Sequence, residues 1–466
     1  MSDRFRPYLH FTPPHGWNND PNGLVYFNGE WHLFYQYFEP TEADGMQWGH
    51  AVSRNLLNWE HLPPVLQPDS LGQIWSGSSV VDVHNSSGLF DGRPGIVSLF
   101  TYWNPADGWQ SQGLACSQDG RSFTKWRGNP VVPQLRNIPG QPEDKEFRDP
   151  KVFWHEASGR WIMAVAGGKL RIFSSADLIH WRFESVSEEI QTECPDLFEL
   201  PVDGNPACTR WVLAGSGQWY WLGDFDGRTF VPRSERLPMT YGPDCYAAQT
   251  WSDAPDGRRV AIAWLFGGRY KCGPRPGRIE NTFPTPWAGG GMTLPYELTL
   301  QTTPAGIRLR QVPVRELEGM RTEKGGDLKI AFEGGKPVEL AILKDGVLDI
   351  ELEFDTKGQP DMVLHIPSAH GGGYRLHLCA AEKRFVLDRR HSGLTGVEAF
   401  LDQYEAPLVP GADGVTRIRA IIDRCSIEVC GADGLVHFPA IIFPGSIGTL
   451  TLAAEGGGCR VRRSWI

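Results

Sequence analysis

At 466 residues the chain is too long for one small core and has room for one large domain and one smaller one. Its 54 glycines and 36 prolines keep it below the roughly 25–30% of low-complexity sequence, so a folded, turn-rich chain is expected. A net charge of −10 with no long basic run argues against nucleic acid or a membrane surface as partner and favours a neutral ligand.

The first segment, MSDRFRPYLHFTPP, has no apolar signal region, and no run of about 18 apolar residues follows anywhere. The nine cysteines form no CxxC pair and no His/Cys zinc spacing. Free thiols and a cytoplasmic location are expected, unless a leader has been removed.

HGWNNDPNG at 15–23 comes next, where Asp20 is followed by ring-locked Pro21 and the turn pair Asn22-Gly23. LVYFNGEWHLFYQY then reads as a hairpin about Asn28-Gly29. A carboxylate on so stiff a support suits a catalytic acid; alone, it reads equally as the cap of its own turn. Short strand-like runs follow: SLFTYW (98–103), KVFW (151–154), WIMAVAGG (161–168), RWVLAGSG (210–217) and RVAIAWLFGG (259–268).

A loose repeat runs through them. AVSRNLLNWEHL (51–62), ACSQDGRSFTKW (115–126), FSSADLIHWRFE (173–184) and LGDFDGRTFVP (222–232) each read strand, polar turn, aromatic, strand. Spacings of roughly 50–65 residues in an all-β chain predict a β-propeller of about five blades over residues 1–300, ending with WAGGGMTLPYELTL. Residues 301–323 read as a linker. From 324 to 466, GVLDIELEF, GYRLHLC, RFVLDRR, VTRIRAIIDRCSIEVC and LVHFPAIIF alternate as in a two-sheet β-sandwich.

Three acidic segments lie at Pro-marked strand entrances: Asp20, Asp149 within EFRDPKVFW, and Glu193 within QTECPDLFEL. Entrances on successive blades converge on a propeller axis, which would gather the three carboxylates. Arg148 would lower the pKa of an acid it pairs with, and crowding would raise another. Two acids so separated suit glycosidic hydrolysis, one attacking the anomeric carbon and the other protonating the leaving oxygen. Around them, Asn19 and Gln36 offer amides, Trp17, Trp48 and Trp75 offer stacking faces, and Ser76 and Ser78 offer hydroxyls. His50 reads as a core histidine, and DCYAAQ (244–249) as either pocket rim or blade packing.

WNNDPNG (17–23), FYQY (34–37), WGHAVS (48–53), WSGSSVVD (75–82), FRDPKV (147–152), ECPDL (193–197), CYAAQT (245–250) and IIDRCSIEVCGADG (421–434) together resemble glycoside hydrolase family 32, the invertases, levanases and inulinases. The resemblance implies a five-bladed propeller followed by a β-sandwich, and a retaining enzyme without metal or cofactor that releases terminal β-D-fructofuranosyl units from sucrose or fructans. It also implies Asp20 as nucleophile, Glu193 as general acid/base and Asp149 as transition-state stabiliser. Asn19, Gln36, Trp75, Ser76 and Arg148 then fall on fructosyl-binding positions. The chain departs from the family at Asn18, where Met is usual, and in FEPTEADGMQ after Tyr37, which lacks an additional Trp. Rival readings are an inverting arabinan or xylan glycosidase of the five-bladed type and a non-catalytic sugar-binding protein.

Overall fold

The computed structural model describes residues 4–39, 45–139, 143–265, 290–321, 323–344, 347–355, 360–395, 400–411, 413–445 and 447–465. Residues 266–268 and 287–289, the ends of two runs read above as strand and blade closure, lie outside the described residues. One compact unit holds residues 13–239 and 246–264, the other residues 1–12, 240–245 and 265–466.

In the first unit, three antiparallel sheets of four strands and then a further antiparallel run, part of a larger sheet, follow one another along the chain. They are β1 (Trp17–Phe27), β2 (Glu30–Phe38), β3 (Gln47–Ser53) and β4 (Glu60–Leu66); then β5 (Gln73–Asp82), β6 (Gly95–Trp103), β7 (Gln110–Ser117) and β8 (Thr124–Lys125). Next come β9 (Arg148–His155), β10 (Arg160–Ala166), β11 (Gly168–Ser175) and β12 (Trp181–Thr192), then β13 (Pro195–Val202), β14 (Asn205–Gly215), β15 (Trp219–Phe225) and β16 (Phe230–Pro232). β17 (Leu237–Pro238) also pairs with β15, and β18 (Tyr246–Thr250) pairs with β19 (Val260–Trp264). The leading strands β1, β5, β9, β13 and β18 touch in turn, and β18 returns to β1, so five inner strands close a ring. That ring is the hub of a propeller.

Local chemistry explains the repeat. Each hairpin joining the third and fourth strands carries an Asx turn, in which one side-chain oxygen accepts two successive backbone N–H groups. Asn55 Oδ1 takes those of Leu57 and Asn58, Asp119 Oδ1 those of Arg121 and Ser122. Asp177 Oδ1 takes Ile179 and His180, and Asp226 Oδ1 takes Arg228 and Thr229. The first hairpin turns at Asn28 (φ 51°) and Gly29 (φ 82°), with Phe27 opposite Glu30, as a two-residue turn with both φ positive requires. Between sheets the apolar faces interlock: Phe34, Trp48, Ile74 and Phe100 between the first two, Leu99, Phe147, Met163 and Phe173 between the next two. Ile162, Ile172, Leu197 and Leu213 fill the space between the third and fourth.

The second unit contains the hairpin β20 (Tyr296–Thr303) and β21 (Gly306–Pro313), followed by a 3-10 turn at Arg315–Met320. Most of the segment expected as a linker, 301–323, is therefore regular structure. Its TLQTTPAGIRLRQV pattern alternates about a Pro-Ala-Gly turn, which is a hairpin signal in its own right. Two six-stranded antiparallel sheets complete the unit. One is ordered β22 (Glu323–Ala331), β33 (Gly458–Trp465), β24 (Leu348–Asp355), β29 (Val415–Asp423), β30 (Ser426–Gly431), β31 (Val436–Ile441). The other is ordered β23 (Val338–Lys344), β32 (Ile447–Ala454), β25 (Met362–Pro367), β26 (Gly373–Cys379), β27 (Arg384–Asp388), β28 (Gln403–Pro407). Alternate residues of β25 and β26 are buried, and Phe385 meets Phe438 across the sheets at 5.2 Å. This is the expected sandwich.

Candidate active site

The entrances of the five inner strands carry the site, and each entrance departs from regular strand geometry. Register along β1 and β2 passes from Asn18 opposite Tyr37 to Pro21 opposite Tyr35, so Asn19 and Asp20 share a bulge. The segment read as a turn before a hairpin is instead bulged strand, because Pro21 lacks the N–H a regular ladder would use. On β5 the extra residue is Ser76, between Trp75 opposite Thr101 and Gly77 opposite Phe100. On β9 it falls at Asp149-Pro150, and on β18 at Ala247-Ala248. Asp149 (φ 62°), Cys194 (φ 42°) and Ala247 (φ 53°) are all left-handed, a conformation costly for residues with a Cβ and concentrated at functional sites. Bulges re-aim side chains, and these turn theirs off the sheets toward one another.

Ser76 Oγ donates to Asp20 Oδ2 at 2.8 Å, and Asn19 Nδ2 donates to Asp20 Oδ1 at 3.0 Å, with Trp17 Nε1 holding Asn19 Oδ1 at 3.0 Å. Asp149 is anchored through its own N–H to Thr101 Oγ1 at 3.0 Å, and its Oδ2 accepts the Cys194 N–H at 3.0 Å. The Cys194 thiol lies between the acids, 3.6 Å from Asp20 Oδ2 and 3.5 Å from Asp149 Oδ2. Arg148 pairs with Glu193 and with Glu146, and its Nε is 3.8 Å from Asp149 Oδ2. The Tyr246 hydroxyl donates to the other Glu193 oxygen. The three carboxylates predicted to converge thus share one cluster of partners.

The electrostatics divide the acids, though in an unexpected sense. Burial raises the Asp20 pKa, partly offset by the Ser76 and Asn19 hydrogen bonds and reinforced by Glu193 nearby. Burial also pushes Asp149 up to about 6 against the pull of Arg148. Glu193 is lowered: burial would raise it, but the Tyr246 hydroxyl and the Arg148 guanidinium outweigh that. Arg148 therefore lowers the acid it pairs with, as expected, and that acid is Glu193.

Ligand atoms of Asp20, Asp149 and Cys194 lie within 4.8 Å of one another. They make a poor cation site, because burial holds the thiol proton on well above its ordinary pKa and Arg148 points its charge at Asp149. Protons and hydroxyl groups suit the cluster better.

Residues 10–313 match the glycosyl hydrolases family 32 N-terminal domain, and residues 316–464 match that family's C-terminal domain. The chain belongs to glycoside hydrolase family 32. The family comprises levanases, inulinases and fructofuranosidases, and its N-terminal domain is a five-bladed propeller, in agreement with the ring of five inner strands. A levanase of Bacillus subtilis (strain 168) is 38% identical over 98% of this chain and 69% of its own length. The exo-inulinase structure from Aspergillus awamori superposes with a TM-score of 0.88 at 31% identity, covering 99% of this chain and 98% of that one. A fructofuranosidase of Schwanniomyces occidentalis, solved with fructosylnystose, gives 0.83 at 28% identity over 100% and 98% of the two chains.

Of the residues expected in this family 32 site, Asp20, Asp149, Glu193, Arg148, Asn19, Ser76 and Trp17 are joined by the contacts above. Trp75 is half-buried and stacks on Trp103 at 5.1 Å and 9°. Gln36 is buried opposite Trp48, and its Nε2 has no hydrogen-bond partner among the described residues. Trp48, expected as a stacking face, is wholly buried in the core, its Nε1 donating to Trp75 O. Ser78, expected to meet a polyol, instead bridges Pro150 O and the Val152 N–H. His50 is the core histidine expected, 3.1 Å from His32. DCYAAQ divides: Tyr246 serves the site, Gln249 Nε2 holds Gly77 O at 2.9 Å, and Asp244, in the other unit, pairs with Arg389. Cys194 and Tyr246 stand within ECPDL and CYAAQT, where residue type alone gives neither a role.

Proposed function

We propose that this enzyme releases terminal β-D-fructofuranosyl units from fructans and sucrose by retaining double displacement. The observation that carries the reading is the common set of partners around Asp20, Asp149 and Glu193, brought from the bulged entrances of two inner strands and from the segment just before a third. Asp20 attacks the anomeric carbon as the bond to the leaving oxygen breaks, and Glu193 gives that oxygen its proton. Water then attacks the fructosyl-enzyme, its proton passing to Glu193, and fructose leaves with its original anomeric configuration. Asp149 accepts hydrogen bonds from fructosyl hydroxyls as charge builds on the ring.

For Glu193 to act as an acid its pKa must rise above its resting position. Sugar hydroxyls competing for Arg148 and a ring that excludes water both act in that direction, since each removes stabilisation of the charged form. The fructan relatives, a levanase and an exo-inulinase, and the fructosylnystose complex support a fructan as substrate.

Replacement D20N should lower fructose release from levan, inulin and sucrose on the order of a thousandfold or more. NMR of the first sugar released should show the retained anomer; near-normal turnover by D20N, or the inverted anomer, would overturn the reading.

A further inference from the structure

The inner strands whose entrances bear the catalytic cluster line, toward their other ends, a second cavity of about 860 Å3. Its walls come from Val80–His84 on and after β5, Phe153–Ala157 on and after β9, Leu197–Glu199 on β13, and Ser252, Asp253 and Arg259 around β18 and β19. Asp149 and His155 are six residues apart on β9, which at roughly 3.3 Å per residue separates the two places by about 20 Å. Between them the hub is plugged. Lys151 Nζ donates to Thr250 O at 2.7 Å and pairs with Asp196 at 3.2 Å, and Asp196 Oδ2 takes the Thr250 N–H at 2.6 Å. The cavity is therefore separate from the catalytic cluster, with Lys151 in its floor.

Its chemistry narrows the ligand. Among the described residues Arg259 makes one weak hydrogen bond, to Thr250 Oγ1 at 3.5 Å, and lies 5.1 Å over the Phe198 ring, although a guanidinium carries five donors. Asp196 and Asp253 act on it electrostatically. Carboxylates of Asp82, Asp253, Glu156 and Glu199 around the cavity repel an anion and supply acceptors, while Arg259 supplies donors. A neutral ligand rich in both donors and acceptors avoids that repulsion and can use both sets. Trp154, 40% exposed and edge-on to Trp161 at 5.3 Å, supplies an aromatic face, as does Trp211. The negative face of such a ring attracts the slightly positive C–H groups of a sugar. The volume falls within the roughly 300–1,000 Å3 of small-molecule sites.

We infer that this cavity binds a neutral oligosaccharide without cleaving it, giving the enzyme a second hold on its polymer. That the oligosaccharide is a fructan rests on the function proposed above.

The test uses the full chain carrying E193Q, titrated calorimetrically with short fructo-oligosaccharides and, in parallel, malto-oligosaccharides of equal length. Two binding events per chain are expected, one of them weakened about tenfold by adding Trp154→Ala or Arg259→Met and restored by Trp154→Phe. In the otherwise native enzyme, W154A should raise KM for levan or inulin while leaving kcat/KM for sucrose within about twofold. A single binding event, a second event indifferent to both variants, or displacement of sugar by phosphate or citrate would overturn the inference. Binding that depends on Trp154 in an enzyme that releases no fructose would uphold the cavity and refute the proposed function instead.

Discussion

Glu193 is held as a carboxylate by two donors of different kinds, the neutral Tyr246 hydroxyl and the permanently charged Arg148. Tyr246→Phe removes one of them without altering the ring. The Glu193 pKa should rise, and an acid that must be protonated then stays so to higher pH. The alkaline limb of kcat/KM should move upward, while the rate at the optimum falls by up to about tenfold, the scale of one hydrogen bond. A pH–rate profile of Y246F checks this, and an unmoved or downward-shifted limb would refute it. The carboxylates and Arg148 were legible in the sequence because Pro and Asn-Gly neighbours marked their strand entrances. Tyr246 was not, for nothing in CYAAQT says which way its first aromatic turns; the bulge at Ala247 decides that. Trp48 and Ser78, whose chemistry equally allowed a sugar contact or ordinary structure, prove to be structure for the converse reason: residue type suits a sugar, but strand facing buries them.

At the scale of the strand, the bulges position the chemistry, and β5 shows what keeps one in place. Where Ser76 is the extra residue, a Cβ added to Gly77 would lie 2.0 Å from Leu99 O and 2.7 Å from Phe100 Cα, backbone atoms of the paired strand that cannot give way. Gly77→Ala should push the β5 entrance away from β6, costing about 1–3 kcal/mol in stability and displacing the Ser76 hydroxyl from Asp20. Thermal melting and sucrose turnover should both fall. Gly88→Ala is the control: its φ of 72° carries a backbone penalty of about 1 kcal/mol, but nothing lies within 4 Å, so activity should hold. Equal turnover in the two variants would contradict this account. The blades were legible because every third-to-fourth-strand turn uses the same Asx chemistry. The bulges were not, because an extra residue exists only relative to a partner strand, and one stretch of sequence contains no register.

At the scale of the molecule, one contribution to stability against pH comes from an ion cluster inside the second unit. His10 Nδ1 is 2.9 Å from Asp423 Oδ2 and its Nε2 2.9 Å from Glu428 Oε1, all three side chains being buried. Asp423 also takes the backbone N–H groups of Tyr8, Leu9 and His10, and Glu428 takes that of Leu294 at 2.6 Å and approaches His437 at 3.2 Å. Burial alone would strip the His10 proton, but the hydrogen bonds and charges of Asp423 and Glu428 outweigh it and carry the pKa up from 6.5 to about 9. A folded pKa above the unfolded one gives stability fully present below pH 6.5 and lost as pH rises through about 9. The size of the shift puts that loss at about 3 kcal/mol. The carboxylates set the acid side, since burial would raise both but His10 holds Asp423 below its usual range and, with His437, draws Glu428 down to about 2. Their share is present above an unfolded pKa of 3.8 or 4.5 and disappears as pH falls through the lower folded values. Both shifts describe one interaction, so they bound a plateau and do not add. The cluster's share, read as the difference in urea midpoint between the native protein and His10→Ala, should therefore hold between about pH 5 and 6.5 and decline toward pH 9. His10→Ala should lower the midpoint at pH 6 by the equivalent of roughly 3–5 kcal/mol, because buried Asp423 then loses its cationic partner and Glu428 keeps only His437. The same variant should lose most of the decline between pH 6.5 and 9. A native protein equally stable at pH 6 and pH 9 would show that His10 does not carry the charge assigned to it.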